Sequence, residues 1–270
     1  MDEHAAVDAV DDPVTVERIA DDLRELGVEA GDTLLVHGAL SELGWVAGGP
    51  QAVVDALQRV VTEAGTVVMP THSTQYSDPS AWQNPPVPEE WVERIEDAMP
   101  PFRAAVTPTR SMGAIAECFR DYPGTQRSRH PLYSFAAWGA DAEAIVADHS
   151  FEHGMGENSP LAAVYEREGS VLLLGTGHET DSSLHLAEYR ADIDAGERTA
   201  GAPVLRDGDR TWVEWAEIDL DSDEFPEIGA AFEREHPDAV ATGEVGAATA
   251  TLLDQPALVD FAVEWLTEHR

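Results

Sequence analysis

Three apolar runs of strand length punctuate the chain, and each delivers a histidine at or just beyond its carboxyl end. Thr33-Leu34-Leu35-Val36 leads into His37, Thr66-Val67-Val68-Met69 leads through Pro70 and Thr71 into His72, and Val171 to Leu174 leads through Gly175 and Gly177 to His178. Continuous runs of this kind fit parallel strands covered on both faces, whose carboxyl ends open into a crevice where ligands bind. Helical periodicity lies between them. One helix is expected over about Val14 to Leu26, started by Thr15 or Pro13 and closed by Gly27, and another from Pro50 to about Thr62 with proline in its first turn. After the third strand a helix beginning near Asp181 to Ser183 places His185 and Glu188, three apart, on one face, where the carboxylate can orient the imidazole. His37, His72, His178 and His185 are therefore expected to meet in one crevice.

The remaining pattern is more mixed. The first dozen residues are acidic and read as loose, Gly113 to Arg120 reads as a helix with Cys118 packed inside, Thr211 to Leu220 alternates like an exposed or antiparallel strand, and Ala257 to His269 reads as an amphipathic helix. The expected fold class is α/β: a central, largely parallel sheet with flanking helices, in a single domain over 1–270. Residues 74 to 110 break the rhythm with repeated prolines around Trp82 and Trp91, and only Glu89 to Ala98 looks helical there. A long excursion inside a compact domain reads as a lid or substrate-binding insertion, or else as a surface elaboration packed on the core.

Composition narrows the function. Asp and Glu number 52 against 16 basic residues, all of them arginine, for a formal charge of −36. The acids are interleaved with apolar periodicity, so this is a charged surface on a globular protein, of the kind expected in a very salty cytoplasm where screening removes self-repulsion. Such a charge argues against nucleic acid. One cysteine excludes a disulfide framework and multi-cysteine zinc sites, and no apolar stretch approaches membrane-spanning length, so the chain reads as a cytoplasmic protein. Against this background, five of the 16 arginines fall at 103, 110, 120, 127 and 129, about three times an even share. A local surplus of guanidinium suggests a phosphate or carboxylate site, with Arg127-Ser128-Arg129-His130 its densest part; ion pairing with nearby acids is the alternative. The glycine-rich turn from Gly38 to Gly49, between a strand and a helix, is a second, weaker anion-site signal.

The residues alone thus support an enzyme that handles an anionic cofactor and uses histidine as a base. Beyond that, the chain resembles the antibiotic N-acetyltransferase family typified by aminoglycoside 3-N-acetyltransferases. The likeness runs from about Leu26 to Leu266. It is carried by LLVHGALSELGWVAGGPQAVVDAL at 34–57, GTVVMPTHS at 65–73, PSAWQNPPVPEEW at 79–91, TPTRSMGAIAECFR at 107–120, RSRHP at 127–131, FAAWG at 135–139, GENSPLAAVYEREGSVLLLGTGH at 156–178, SSLHLAEYRA at 182–191 and FPEIG at 225–229. The resemblance implies a family-specific α/β architecture distinct from GNAT acetyltransferases, and acetyl transfer from acetyl-CoA to an amine of an aminoglycoside or similar polyamine.

On that resemblance His185 is the leading base, with Glu188 orienting it or binding the substrate ammonium, and His178 is an alternative base or supporting partner. A hydroxyl of Thr71 or Ser73 is a candidate oxyanion donor, and His72 and Asp181 are candidate acceptor-binding residues. The cofactor would lie along His37, Gly38, Ala39, Leu40, Ser41 and Gly44, with Arg110, Ser111, Arg127, Ser128, Arg129 and His130 adding contacts. No metal is expected, and a homo-oligomer is left open. The chain departs from the family in having Gly38 and Ala39 where serines are common, and Asp181 and Ser182 where Asn and Thr are frequent, which puts acceptor preference in question. Two rival readings remain: a metal-dependent hydrolase using the histidines and Glu188 as ligands, and a non-catalytic binder of cationic compounds.

Overall fold

A computed structural model describes residues 3–270. In chain order its helices are α1 (Glu3–Asp8), α2 (Val16–Leu26), α3 (Pro50–Val61), α4 (Val92–Ala98), α5 (Gly113–Arg120), α6 (Ala142–Ala147), α7 (Pro160–Tyr165), α8 (Ser183–Arg190), α9 (Phe225–Glu235) and α10 (Gln255–His269). The strands are β1 (Thr33–Gly38), β2 (Thr66–Pro70), β3 (Gln126–Arg127), β4 (Phe135–Gly139), β5 (Ser170–Leu174), β6 (Glu197–Arg206), β7 (Asp209–Ile218), β8 (Val240–Val245) and β9 (Ala248–Asp254).

Among the described residues one seven-stranded sheet runs in the order β3-β4-β2-β1-β5-β9-β8. Its centre is the trio read from the sequence: β1 pairs in parallel with β2, Thr33 opposite Thr66, and with β5, Leu34 opposite Ser170. Antiparallel strands extend both edges, β4 against β2 and β9 against β5. The continuous apolar runs make sense because each strand feeds two cores. Leu35, Val68, Val171 and Leu173 face a core shared with α7 to α10, while Leu34, Val36, Val67, Met69, Leu172 and Leu174 face one shared with α2, α3 and α5. A parallel trio buried this way ends with its carboxyl edge as the open crevice.

Local chemistry sets the ends of these elements. The Thr15 side chain accepts a hydrogen bond from Arg18 N at 3.2 Å to start α2, and Gly27, at φ +113°, returns its N–H to Leu23 and Arg24. The amino-terminal segment is not loose in the described residues. It forms α1, Val10 packs at Gly44, and Val14 bridges to Val46. The alternating segment near 211 is β7, half of a two-stranded ribbon with β6 that turns at Asp207-Gly208, both at positive φ.

The proline-rich excursion closes over that ribbon. Phe102 N donates to Pro203 O at 2.8 Å, and Arg210 Nε donates to Met99 O at 2.7 Å. Its tryptophans Trp82 and Trp91, with Ile95 and Met99, line a separate cavity of their own.

Candidate functional site

At the carboxyl edge of the trio lies a cleft of about 840 Å³. Its walls come from four places: His37 to Ser41 at the end of β1, Pro70 and His72 at and beyond the end of β2, Ser111 to Ala116 at the start of α5, and Thr176, Glu179, Thr180, Ser182 and His185 from the loop after β5 into α8. Tyr133, Met155, Arg198, Leu220 and Ser222 also line it.

His185 is the best-organised side chain in the cleft. Its Nδ1 lies 2.6 Å from Glu188 Oε2, one helical turn on, and its ring meets Phe225 edge-on with centroids 4.8 Å apart. Glu188 is only 2% exposed. Its second oxygen, Oε1, accepts from Asp221 N at 3.0 Å and from Arg270 Nη1 at 2.8 Å. With Nδ1 occupied by the carboxylate, Nε2 is the ring nitrogen left for a ligand in the cleft. This geometry suits a general base.

The other cleft histidines are held neutral. Burial pushes the His72 imidazole down to about 3, helped by the neighbouring His185 and His37. Burial also lowers His37, although Asp181 opposes it, and His37 Nε2 accepts from Ser182 N at 3.4 Å. His72 Nε2 is buried with no hydrogen-bond partner.

The α5 edge offers a different chemistry. No side chain caps the first turn of α5, and its opening residues face the cleft. Ser111 at φ +61° and Gly113 at φ +79° bend the chain so that a Cβ at Gly113 would lie 3.4 Å from Gly38 O. The end of β1 and the start of α5 are thereby brought together, with free peptide N–H groups and the positive end of a helix dipole beside them.

Several residues singled out in the sequence lie elsewhere. His178 does not line the cleft: its Nε2 is 3.0 Å from Glu233 Oε1, its Nδ1 is 3.8 Å from Asp181 Oδ2, and Gly229 of α9 presses on its ring. Burial works against its charge, but Asp181 and Glu233 outweigh that and raise its pKa, and the ring is pinned under α9 rather than facing the cleft. Asp181 is fully buried and accepts from Ser183 N at 3.0 Å, where it begins α8 instead of meeting an amine. The Thr71 hydroxyl donates to Ser134 O at 3.0 Å and that of Ser73 to Pro131 O at 2.7 Å, so neither is free for an oxyanion. Thr176 is the hydroxyl that sequence reasoning missed: it lines the cleft and its Oγ1 is buried without a partner. Gly44 lies outside the cleft, where a Cβ would come within 2.6 Å of Val10 Cγ1.

The arginine-rich segment does not converge on a ligand. Arg127 spends its donors on the protein: Nε to Thr71 Oγ1 and Ser134 Oγ at 3.1 Å each, Nη1 to Thr107 O at 2.5 Å, and Nη2 to Thr71 O at 2.6 Å. Arg120 pairs with Glu117 and Asp121, and Arg129 is exposed away from the cleft. Ser128 Oγ and His149 Nδ1 are 2.8 Å apart, and His130 Nδ1 accepts from Leu132 N and Tyr133 N, so both belong to the core. Of this group only Ser111 lines the cleft; Arg110 is its exposed neighbour, with a contact to Asn84 O at 3.4 Å. None of residues 74–110 lines the cleft, so the excursion does not cover it as a lid.

On the Glu188 side of α8 a second cavity, of about 780 Å³, is lined by Glu152, Glu157, Glu188, Asp194 and Glu197. Among the described residues no three His, Cys, Asp or Glu side chains are grouped as a metal ion would need. Among the described residues no helix is long and apolar enough to cross a membrane.

Residues 35–267 match the model of a family described as aminoglycoside 3-N-acetyltransferase. The SPbeta prophage-derived aminoglycoside N(3')-acetyltransferase-like protein YokD of Bacillus subtilis is 46% identical over 95% of this chain and 94% of the relative. Its crystal structure superposes with a TM-score of 0.96 at 44% identity, covering 98% of each chain. Aminoglycoside N(3)-acetyltransferase VII of Streptomyces paromomycinus is 38% identical over 99% of this chain and 96% of its own. A structure of AAC-IIIb in binary complex with CoASH has a TM-score of 0.85 at 34% identity, covering 95% of this chain and 97% of that one.

Proposed function

The chain belongs to the aminoglycoside 3-N-acetyltransferase family, so it transfers an acetyl group from acetyl-CoA to an amine, and we propose that His185 is the base of that reaction. The observation that carries this reading is the 2.6 Å contact between His185 Nδ1 and Glu188, on a cleft also walled by the uncapped start of α5.

The acceptor arrives as an ammonium, which cannot attack. His185 Nε2 takes a proton from it, and the freed nitrogen lone pair forms a bond to the thioester carbonyl carbon. The tetrahedral adduct still carries a second proton on its nitrogen. As it collapses the oxyanion re-forms the carbonyl, the C–S bond breaks, CoA leaves as the thiol with the proton returned from His185, and the nitrogen gives its second proton to solvent to become the neutral amide. Glu188 holds the imidazole and balances the imidazolium between these steps. Thr176, with its unpartnered Oγ1, is the hydroxyl we assign to hydrogen bonding with the bound reactants.

Acetyl-CoA is read along His37 to Ser41 and the start of α5, where peptide N–H groups meet phosphate oxygens. The acceptor is read as polycationic, an aminoglycoside or similar polyamine, because Glu179 lines the cleft and the adjoining cavity is walled by carboxylates. The whole is read as one domain over 1–270 with an insertion at 74–110. The acidic surface is read as adaptation to a salty cytoplasm.

Thiol release from acetyl-CoA, followed in molar potassium chloride across aminoglycosides and simple polyamines, tests all of this. We expect acceptor-dependent turnover that weakens in dilute buffer, and its loss in His185→Ala with acetyl-CoA binding near normal. Turnover at the wild-type rate in that variant would remove His185 as the base. Turnover unchanged in dilute buffer would remove the salt adaptation.

A further inference from the structure

Glu188 is a carboxylate withdrawn from water, and such a group stays ionised only if its oxygens are well supplied with donors. Oε2 faces His185, and Oε1 has the peptide N–H of Asp221 and the guanidinium of Arg270, the residue that follows α10. Beside the His185 contact, Arg270 is the one arginine paired with Glu188 among the described residues. Its own side chain is 18% exposed and is fixed in turn by Glu224 and by Asp221 O at 2.8 Å. Helix α10 places it there by packing Leu258, Val259, Ala262 and Leu266 in the core shared with α8.

From this clamp we infer that Arg270 is a positioning residue for acetyl transfer: it holds the Glu188 carboxylate against His185 and thereby sets the tautomer of the imidazole. The inference rests on the reading of His185 as base. An ionised Glu188 can only accept, so the imidazole proton sits on Nδ1 and the Nε2 lone pair faces the acceptor. A carboxylate released by Arg270 and turned away from Nδ1 would no longer hold the ring proton there, and that proton would move to Nε2. The imidazole could then take no proton from the substrate ammonium. Arg270 touches neither reactant in this scheme and acts wholly through the carboxylate.

The test measures thiol release and acetyl-CoA affinity for wild type, Arg270→Ala, Arg270→Gln and His185→Ala, with thermal melts to establish folding. In the folded Arg270 variants kcat should fall by about tenfold to a hundredfold with acetyl-CoA affinity unchanged. Added guanidinium ion should restore part of the turnover of Arg270→Ala and none of that of His185→Ala. Arg270→Gln keeps a donor and most of the side-chain length without the charge, so it carries the test if the alanine variant unfolds. Nitrogen-15 spectra of the His185 ring should show the proton moving from Nδ1 to Nε2. Wild-type kcat in a folded Arg270 variant, with His185→Ala inactive, would overturn the role of Arg270 alone. Wild-type turnover in His185→Ala would instead overturn the base assignment on which it rests.

Discussion

Arg127 shows how a residue's surroundings decide its use. Its guanidinium closes on Thr71, Thr107, Ala104 and Ser134, tying the loop after β2 to the end of the proline-rich excursion. Burial lowers its pKa to about 10, which still leaves it charged at neutral pH, and charge-assisted bonds to carbonyls are strong. Arg127→Ala is expected to cost about 3 kcal/mol of stability, seen as a lower urea midpoint, with acetyl-CoA affinity unchanged. Weakened cofactor affinity at an unchanged midpoint would return Arg127 to phosphate binding. The arginine surplus was visible in the sequence, but its destination was not, because carbonyl acceptors carry no residue-type signature. The pairing of His185 with Glu188 was legible for the opposite reason: both partners lie within one turn of one helix, so spacing alone fixes their contact. Arg270 lies 82 residues from Glu188, and no local pattern relates them.

At the scale of elements, the parallel trio and its helices followed from apolar runs and from punctuation by Gly and Pro. The β6–β7 ribbon was only half read. Its turn signal, Asp207-Gly208, is in the sequence, but β6 holds Gly201 and Pro203 and does not look like a strand until its partner is present. Non-local burial misled in the other direction for His178: its chain position at the end of β5 resembles that of His37, yet α9 arrives from later in the chain and covers it. The meeting of β1 with α5 offers a sharper test. Gly113 is at φ +79°, where a Cβ costs about 1–2 kcal/mol, and the strain is relieved only by shifting the first turn of α5. Gly113→Ala should therefore raise the acetyl-CoA dissociation constant by about tenfold while leaving turnover at saturation near normal. An unchanged constant, measured calorimetrically, would take the start of α5 out of the cofactor site.

For the whole molecule, buried histidines and surface acids pull in different directions with pH. Burial pushes His72 to about 3 and His149 to about 4, and holds His130 well below its ordinary value, whereas all three titrate near 6.5 once unfolded. Between 6.5 and 4 the unfolded chain therefore binds the extra protons, so stability is lost as pH falls. Each such group contributes about 1.4 kcal/mol per pH unit through that window. Melting in molar potassium chloride, where repulsion among the acids is screened, should fall steeply from pH 6.5 downward, and replacing His149 should flatten the slope. An equally steep fall without His149 would show that its burial is not part of the acid response. The net charge of −36 was read at once from composition, but it is silent on where any one acid sits, and the acid-walled cavity beside α8 emerged only from the fold. On the reading proposed above, the start of α5 would meet the cofactor without enlisting any formal charge. Peptide groups are common to all twenty residues, so a cofactor held by backbone is indifferent to the identity of most side chains around it. Surface carboxylates can then accumulate, one substitution after another, without disturbing a hold of that kind.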